Sequence, residues 1–435
     1  MRDILILAIA IPGCLLALRR PWIGIMMWVW LSIMNPHRFT YGIAYHFPFA
    51  ALAAGCTMLG LVFSAEKDSP FKGPPVVWLL LFIIWMTLSW LFGLDVDGDY
   101  AQWVKILKID LMVLLALVAL RTKEHIYALT WVATASIALL GAKGGLFTIK
   151  SGGNHLVWGP PGSFIEDNNE FALAIIMTIP LLRFLQLQLQ SEKGKHLLTA
   201  IMLLCAASAI GSHSRGALLA IVSMASLLWW RGKNKVSTAV VIGAAGLAIL
   251  AFMPESWFSR MDTIADYEQD RSAMGRISAW WTAWNLAWSF PFGVGFNPAR
   301  ADLFAIYSPY PTFVHAAHSI YFQVLGNHGF IGLGVFLLIL LTTWQSASWI
   351  RKNTPKLPAT QWCFDLASMV QVSLAGYMVG GAFLSLAYFD LPYYLMVIIV
   401  LTRVWVVKKS WEHEPIYKKG WIRIPGLAPK LPTNT

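Results

Sequence analysis

Two arginines and a histidine mark places where a very apolar chain turns polar. They are Arg215 in Gly211-Ser-His213-Ser-Arg215-Gly216, Arg276 in Gly275-Arg276-Ile-Ser-Ala-Trp-Trp, and His318 in His315-Ala-Ala-His318-Ser319. A guanidinium is a planar fork of donors that fits a phosphate in a two-pronged grip. An imidazole titrates near neutrality, so it can take the proton of an attacking hydroxyl or, charged, bind phosphate itself. The sequence leaves both roles open for His318. Together these residue types suit chemistry in which a phosphate departs into fixed positive charge while a base prepares the nucleophile. Lys143, in Gly141-Ala-Lys143-Gly-Gly145, is a weaker third cation, and Asp390, in Tyr388-Phe-Asp390-Leu-Pro392, could orient a cation in the site, although solvation at a helix end is the first reading for it. Each of the basic residues has a structural alternative as an interface anchor whose stem lies along apolar surface. A Gly-flanked tight turn gives Arg215 little stem to pack, which favours the functional reading there.

The elements that must hold these residues are membrane helices. Of 435 residues, 57% are hydrophobic and only 13% charged, against roughly 25% charge in an ordinary soluble domain. Apolar runs recur along the chain without alternation, and lipid satisfies no backbone hydrogen bond, so the expected fold is all-α and polytopic. Spans fall near 4–18, 22–35, 47–64, 75–93, 103–121, 125–147, 169–188, 197–212, 214–230, 237–253, 318–349, 361–388 and 391–407. That is about 12–13 transmembrane helices, the second being short for a full crossing. The chain divides into N-terminal helices over 1–253, a long loop with an amphipathic helix over 254–317, C-terminal helices over 318–410 and a basic tail over 411–435. No cleavage site follows the first apolar run, which ends in Arg19-Arg20, so no signal peptide is expected.

The net charge of +11 would raise nucleic acid in a soluble protein. Here Lys67/Lys72, Arg121/Lys123, Lys193/Lys195, Arg231/Lys233/Lys235 and Arg351/Lys352/Lys356 fall in alternate loops, the pattern of cytoplasmic loops, and no nucleic-acid partner is expected. The opposite side then receives Asp95–Asp99, the Gly/Pro loop 148–168, the turn 211–216 and the segment 254–317. Cys14, Cys56, Cys205 and Cys363 lie within apolar runs, and no His/Cys/carboxylate spacing suggests a metal or other cofactor.

Within the long outer segment, Trp280, Trp281, Trp284 and Trp288 recur at helical spacing. Such a stripe reads first as a helix lying in the membrane interface, with a sugar-stacking platform as the alternative. Pro291-Phe-Gly293-Val-Gly295 is a turn, not a dinucleotide fingerprint, since no strand precedes it. Asp95-Val-Asp97-Gly-Asp99 reads as a solvated loop, and Lys105, Lys108 and Asp110 as locally paired charges at a helix start. Asn168 or Asn169 is expected to cap the next span, with Glu170 in its first turn.

The order Arg215, Gly275-Arg276 with aromatics following, Pro291-Phe-Gly-Val-Gly, then His318 leading to Leu325 and Gly329-Phe-Ile-Gly-Leu resembles the O-antigen ligase and O-antigen polymerase superfamily. The opening Met1-Arg-Asp, Met34-Asn-Pro-His37-Arg38 and Asp167-Asn-Asn-Glu170 resemble one branch, the exosortase-associated O-glycosylation ligases. The resemblance covers most of the chain. It implies a C-type glycosyltransferase fold in the bacterial inner membrane, with the site facing the periplasm. It implies a donor glycan on undecaprenyl pyrophosphate and, for ligases, a lipid A–core acceptor. Arg215 and Arg276 match the family's essential periplasmic arginines, and His318 its essential histidine. Two positions depart from the pattern: Ser319 stands where Asn is common, and Asn327 where Glu is common. Asn327 removes a carboxylate from consideration there.

On this resemblance Arg215 and Arg276 hold the pyrophosphate with Lys143 assisting, and His318 deprotonates the acceptor hydroxyl, inverting the anomeric centre without a metal. A polymerase acting on the same carrier is the nearest alternative. A lipid-linked oligosaccharide flippase is the alternative from another class, but it should carry charges through the membrane depth. Here the notable cations gather at one face.

Overall fold

The computed structural model describes residues 2–65, 67–231 and 271–413, with isolated positions between 234 and 257. Every span expected within those residues is a helix. In chain order they are α1 (Arg2–Ala17), α2 (Pro21–Ile33), the single turn α3 (Ile43–His46), α4 (Phe49–Phe63), α5 (Pro74–Leu91), α6 (Val96–Ala119), α7 (Lys123–Lys150), α8 (Asn168–Gln188), α9 (Glu192–Gly211) and α10 (Arg215–Arg231). After the long loop come α11 (Arg271–Ser289), α12 (Ala301–Tyr307), α13 (Ile320–Asn353), α14 (Gln361–Gly380) and α15 (Asp390–Val407). Seven of the described helices (α5, α7, α8, α9, α13, α14 and α15) are long and apolar enough to cross a membrane. The chain is an all-helical, multi-pass membrane protein. The expected count of about 12–13 is larger because α2 and α4 are shorter apolar helices and α6 opens with charged residues. Most of the span at 237–253, Lys233 and the tail beyond 413 lie outside the described residues.

Two helices form the centre. The apolar stretches of α8 and α15 are 83% buried, against 28% for α9 and 33% for α5, which therefore present most of their surface outward. Close packing uses small residues, as expected where lipid supplies no hydrophobic drive. A side chain at Gly145 would strike the Leu204 backbone, and one at Gly211 the Thr148 side chain, so α9 lies directly on α7. α13 has 34 residues, roughly 50 Å of helix, more than the ~30 Å hydrocarbon layer. It breaks at Gly329, whose φ of 66° and ψ of −170° no residue with a side chain adopts readily. The first nine residues of α13 therefore form a separate turn-back at one end of the bundle.

That end is tied together by the loops. Leu94 N–H donates to Val294 O at 3.0 Å, Val294 N–H to Asn327 O at 3.0 Å, and Phe296 N–H to the Asp99 carboxylate at 2.5 Å. Asn168 Nδ2 donates to Ser212 O at 2.6 Å, and His213 Nε2 lies 2.8 Å from Gly153 O. The other end gathers basic groups: Lys72 Nζ caps carbonyls of α6 at Leu117 (2.7 Å), Lys123 lies over Trp362, and Arg351 donates to Gln371 at 3.0 Å.

Several local expectations change. Asp167, not Asn168 or Asn169, caps α8, accepting from Asn169 N–H. The Asp95–Asp99 stretch is solvated only in part: Asp95, which caps α6, and Asp97 are exposed, but Asp99 is buried as the acceptor for the 291–296 turn. Asp110 is buried without a local Lys pair, and Lys105 lies 4.0 Å over the Phe164 ring. The tryptophan stripe splits. Trp281, Trp284 and Trp288 are exposed, while Trp280 turns inward, stacks on Phe322 and donates to Ala317 O at 2.7 Å.

Candidate functional site

Arg215 and Arg276 line one cavity, with Asn169, His213, Gly216, Phe383 and Leu384. Each comes from a different element, and each element has a local reason for its place. Arg215 begins α10 directly after the 212–214 turn. Ser212 closes that turn on Ala209 O at 2.6 Å, His213 takes a left-handed φ of 57°, and Ser214 Oγ accepts from Ala217 N–H at 3.2 Å. A helix N-terminus carries partial positive charge, so the guanidinium adds to a field already suited to an anion. Arg276 lies in the second turn of α11, next to Gly275, where a Cβ would press on the His315 ring. Ser278 Oγ donates to Tyr310 O at 2.9 Å, and Trp280 holds Ala317, so α11 carries the 308–318 segment with it.

His318 ends that segment, one residue before the Ser319 cap of α13. Its φ of 41° is left-handed, an unfavourable conformation for a side-chain-bearing residue. Its Nδ1 lies 3.6 Å from Glu170 Oε1, the imidazole 25% exposed and the carboxylate side chain 8%. Ser385 N–H also reaches Glu170 Oε1, at 3.4 Å. The His315 ring stands 4.9 Å from that of His318. This pair is linked to the arginine cavity through the chain: Asn169 and Leu384 line the cavity, and their chain neighbours Glu170 and Ser385 bond to each other beside His318. Burial by itself would raise the Asp167 carboxyl. Its hydrogen bonds with Glu170 and with the Asn169 backbone and side chain, and the nearby His318, outweigh that and hold it below the ordinary carboxylate range.

The cavity thus presents two guanidiniums, Arg215 and Arg276. His318 pairs with Glu170, the chain neighbour of the cavity-lining Asn169. Lys143 is not among these residues: it lines a separate, mostly apolar cavity with Phe39, Trp158 and Phe171, its Nζ 5.7 Å above the Phe39 ring. Asp390 is buried at the start of α15, accepts from Ser32 Oγ, and does not line the arginine cavity. Glu170 was not singled out from sequence, because an acidic residue in a first turn is explained by the helix dipole alone. The signal was there in the most apolar setting: a first-turn carboxylate leading straight into a helix with no other acid. Among the described residues, no group of three His, Cys, Asp or Glu side chains is arranged to hold a metal ion.

Residues 200–337 match the O-antigen ligase family. Over that stretch the chain is similar to a family that comprises O-antigen ligases and polymerases. Residues 1–190 match a second family, of unknown function (DUF5935). No curated protein matches the chain. The stretch matched to the O-antigen ligase family contains Arg215, Arg276 and His318, whereas Asp167, Asn169 and Glu170 lie in the stretch matched to the family of unknown function. The site is assembled across the two matches.

Proposed function

We propose that the protein is an O-antigen ligase-type glycosyltransferase that moves a glycan from undecaprenyl pyrophosphate to an acceptor hydroxyl, with lipid A–core oligosaccharide as the acceptor, on the periplasmic face of the bacterial inner membrane. The observation that carries the reading is the convergence of Arg215 and Arg276 on one cavity beside His318. Cleaving an anomeric bond to pyrophosphate leaves negative charge on the departing group. Two guanidiniums held at a helix start and on a packed helix face stabilise that charge without reorganising, the kind of contact whose loss costs about 10²–10³ in rate. His318 takes the acceptor proton as the hydroxyl attacks from the side opposite the pyrophosphate, so the anomeric centre inverts. The guanidiniums supply the charge that a divalent ion supplies in other transferases, and the reaction is proposed to run without metal. Lys143, in a separate cavity, is proposed to meet a second part of an amphiphilic substrate rather than the scissile phosphate. The distribution of basic loops supports a periplasmic site, since the cavity lies at the end of the bundle away from Lys72, Lys123 and Arg351.

The test is a transfer assay with purified full-length protein, undecaprenyl-pyrophosphate glycan and lipid A–core, in the presence of EDTA. Wild type transfers, and His318→Ala and Arg215→Ala do not, although both remain monodisperse. Carrier-linked chains that lengthen without any acceptor would identify a polymerase. Carrier crossing liposomes without chemistry would identify a flippase.

A further inference from the structure

We infer that Glu170 is the positioning residue that orients His318 with Nδ1 protonated toward the carboxylate and Nε2 open toward the arginine cavity. This assignment rests on the functional reading above for its kinetic consequence, but not for its geometry. Glu170 is buried at the start of α8, with Oε1 facing both His318 Nδ1 and the Ser385 amide, and neither its Oε2 nor His318 Nδ1 has a hydrogen-bond partner among the described residues. A buried carboxylate with capacity to spare is costly unless a cation or donor faces it. His318 Nδ1, 3.6 Å from Oε1 and itself without a hydrogen-bond partner, is placed to become that group. His318 has little freedom of its own: its backbone is left-handed, and the next residue caps α13, Ser319 Oγ accepting from Phe322 N–H at 3.4 Å.

The remaining charged and titratable groups around the imidazole fit the same assignment. From α8 and its cap come Glu170 and Asp167; from the α9–α10 turn, His213 and Arg215; from α11, Arg276; from its own segment, His315. The acids lie on the α8 side and the arginines on the cavity side. A proton on Nδ1 therefore points at negative charge, while Nε2 keeps its lone pair for the acceptor hydroxyl. In the transfer step that hydroxyl loses its proton to Nε2, its oxygen bonds to the anomeric carbon, and the anomeric carbon–oxygen bond breaks with its electron pair leaving on pyrophosphate. The imidazolium formed lies beside Glu170, which stabilises it, the arrangement by which a buried carboxylate fixes the tautomer of a catalytic histidine.

The assignment also gives the segment of unknown function a task. The catalytic imidazole belongs to one family match and its orienting carboxylate to the other, so neither part is complete without the other.

The test has two arms. The first is ¹⁵N NMR of histidine-labelled wild-type protein in lipid nanodiscs, with the His318 signals identified by their loss in His318→Asn. The neutral ring is expected as the Nδ1–H tautomer, and an Nε2–H tautomer overturns the proposal whatever the activity. The second is steady-state transfer by Glu170→Gln and Glu170→Asp. Glu170→Gln is expected to lower kcat about 100-fold with the donor KM within about threefold of wild type, and Glu170→Asp to recover most of the loss. A loss confined to KM, or Glu170→Asp as impaired as Glu170→Gln, overturns it. If wild type transfers nothing, the functional reading fails while the tautomer still decides the pairing. If Glu170→Gln does not fold, the tautomer and Glu170→Asp decide it.

Discussion

His318 and His328 lie ten positions apart in one stretch of sequence and do opposite things. His328 is completely buried within α13, its Nδ1 2.9 Å from Ser89 Oγ and its Nε2 2.8 Å from Tyr388 Oη. Ser89 Oγ in turn donates to Asn327 O, Asn327 Nδ2 to Tyr388 Oη, and Trp85 to His328 O at 2.8 Å. Both ring nitrogens are used by neutral hydroxyls, no charge faces the ring, and nothing is left for a substrate. His318 is partly exposed, has a carboxylate on one side and two guanidiniums in the adjoining cavity, and sits on a left-handed backbone. The same side chain ties helices together in one place and is available for proton transfer in the other. What separates them is the charge of the partners and access to the cavity, not the residue type.

The sharpest way to break this comparison is to remove each ring. His318→Ala is expected to lower transfer by about 10³-fold or more while leaving thermal stability near wild type. His328→Ala strands the Ser89 and Tyr388 hydroxyls and opens a cavity, so it is expected to lower stability by about 2–4 kcal/mol while the folded fraction still transfers. Denaturation in detergent alongside rates per folded molecule distinguishes the two, and a large rate loss in folded His328→Ala would erase the distinction. Next in size, Arg276→Lys keeps the charge but not the fork, and is expected to slow transfer about 10²-fold. An unchanged rate would mean Arg276 acts only as a distant charge.

A smaller effect belongs to the buried knot. Gly329 lets α13 break directly after His328, with a φ of 66° and a ψ of −170°. Gly329→Ala is expected to cost about 1–3 kcal/mol of stability, seen as a lower melting temperature. The smallest effect sharpens the other side. Burial opposes ionisation of Asp167, yet hydrogen bonds with Glu170 and Asn169 and the nearby His318 lower its pKa beneath its ordinary value of 3.8. A lowered carboxyl contributes stability above that unfolded value and loses it as pH falls through the folded one. Asp167→Asn should therefore be less stable than wild type near neutrality, with the gap closing in melts taken below pH 3.8. A gap that persists unchanged would show that Asp167 acts through shape alone.

Much was legible in the residues. Continuous apolar runs determined the helices, because lipid leaves the backbone no other way to satisfy itself. Arg215, Arg276 and His318 stood out because cations at the edge of apolar spans have few structural uses. Glu170 did not, since its local role as a first-turn acid is complete without any partner from afar. Asp99 was misread for the same reason: nothing within its loop reveals that Phe296 N–H, far along the chain, needs an acceptor. His328 and His318 are equally conspicuous in one dimension, and only packing separates the buried ring from the accessible one. The sequence by itself determined the helical membrane fold and the kinds of charge available, because those follow from composition and local period. The tertiary structure decided which charges meet, which cavity Lys143 lines, and which carboxylate stands behind His318. Those depend on where separate helices end relative to one another, and no local pattern encodes that.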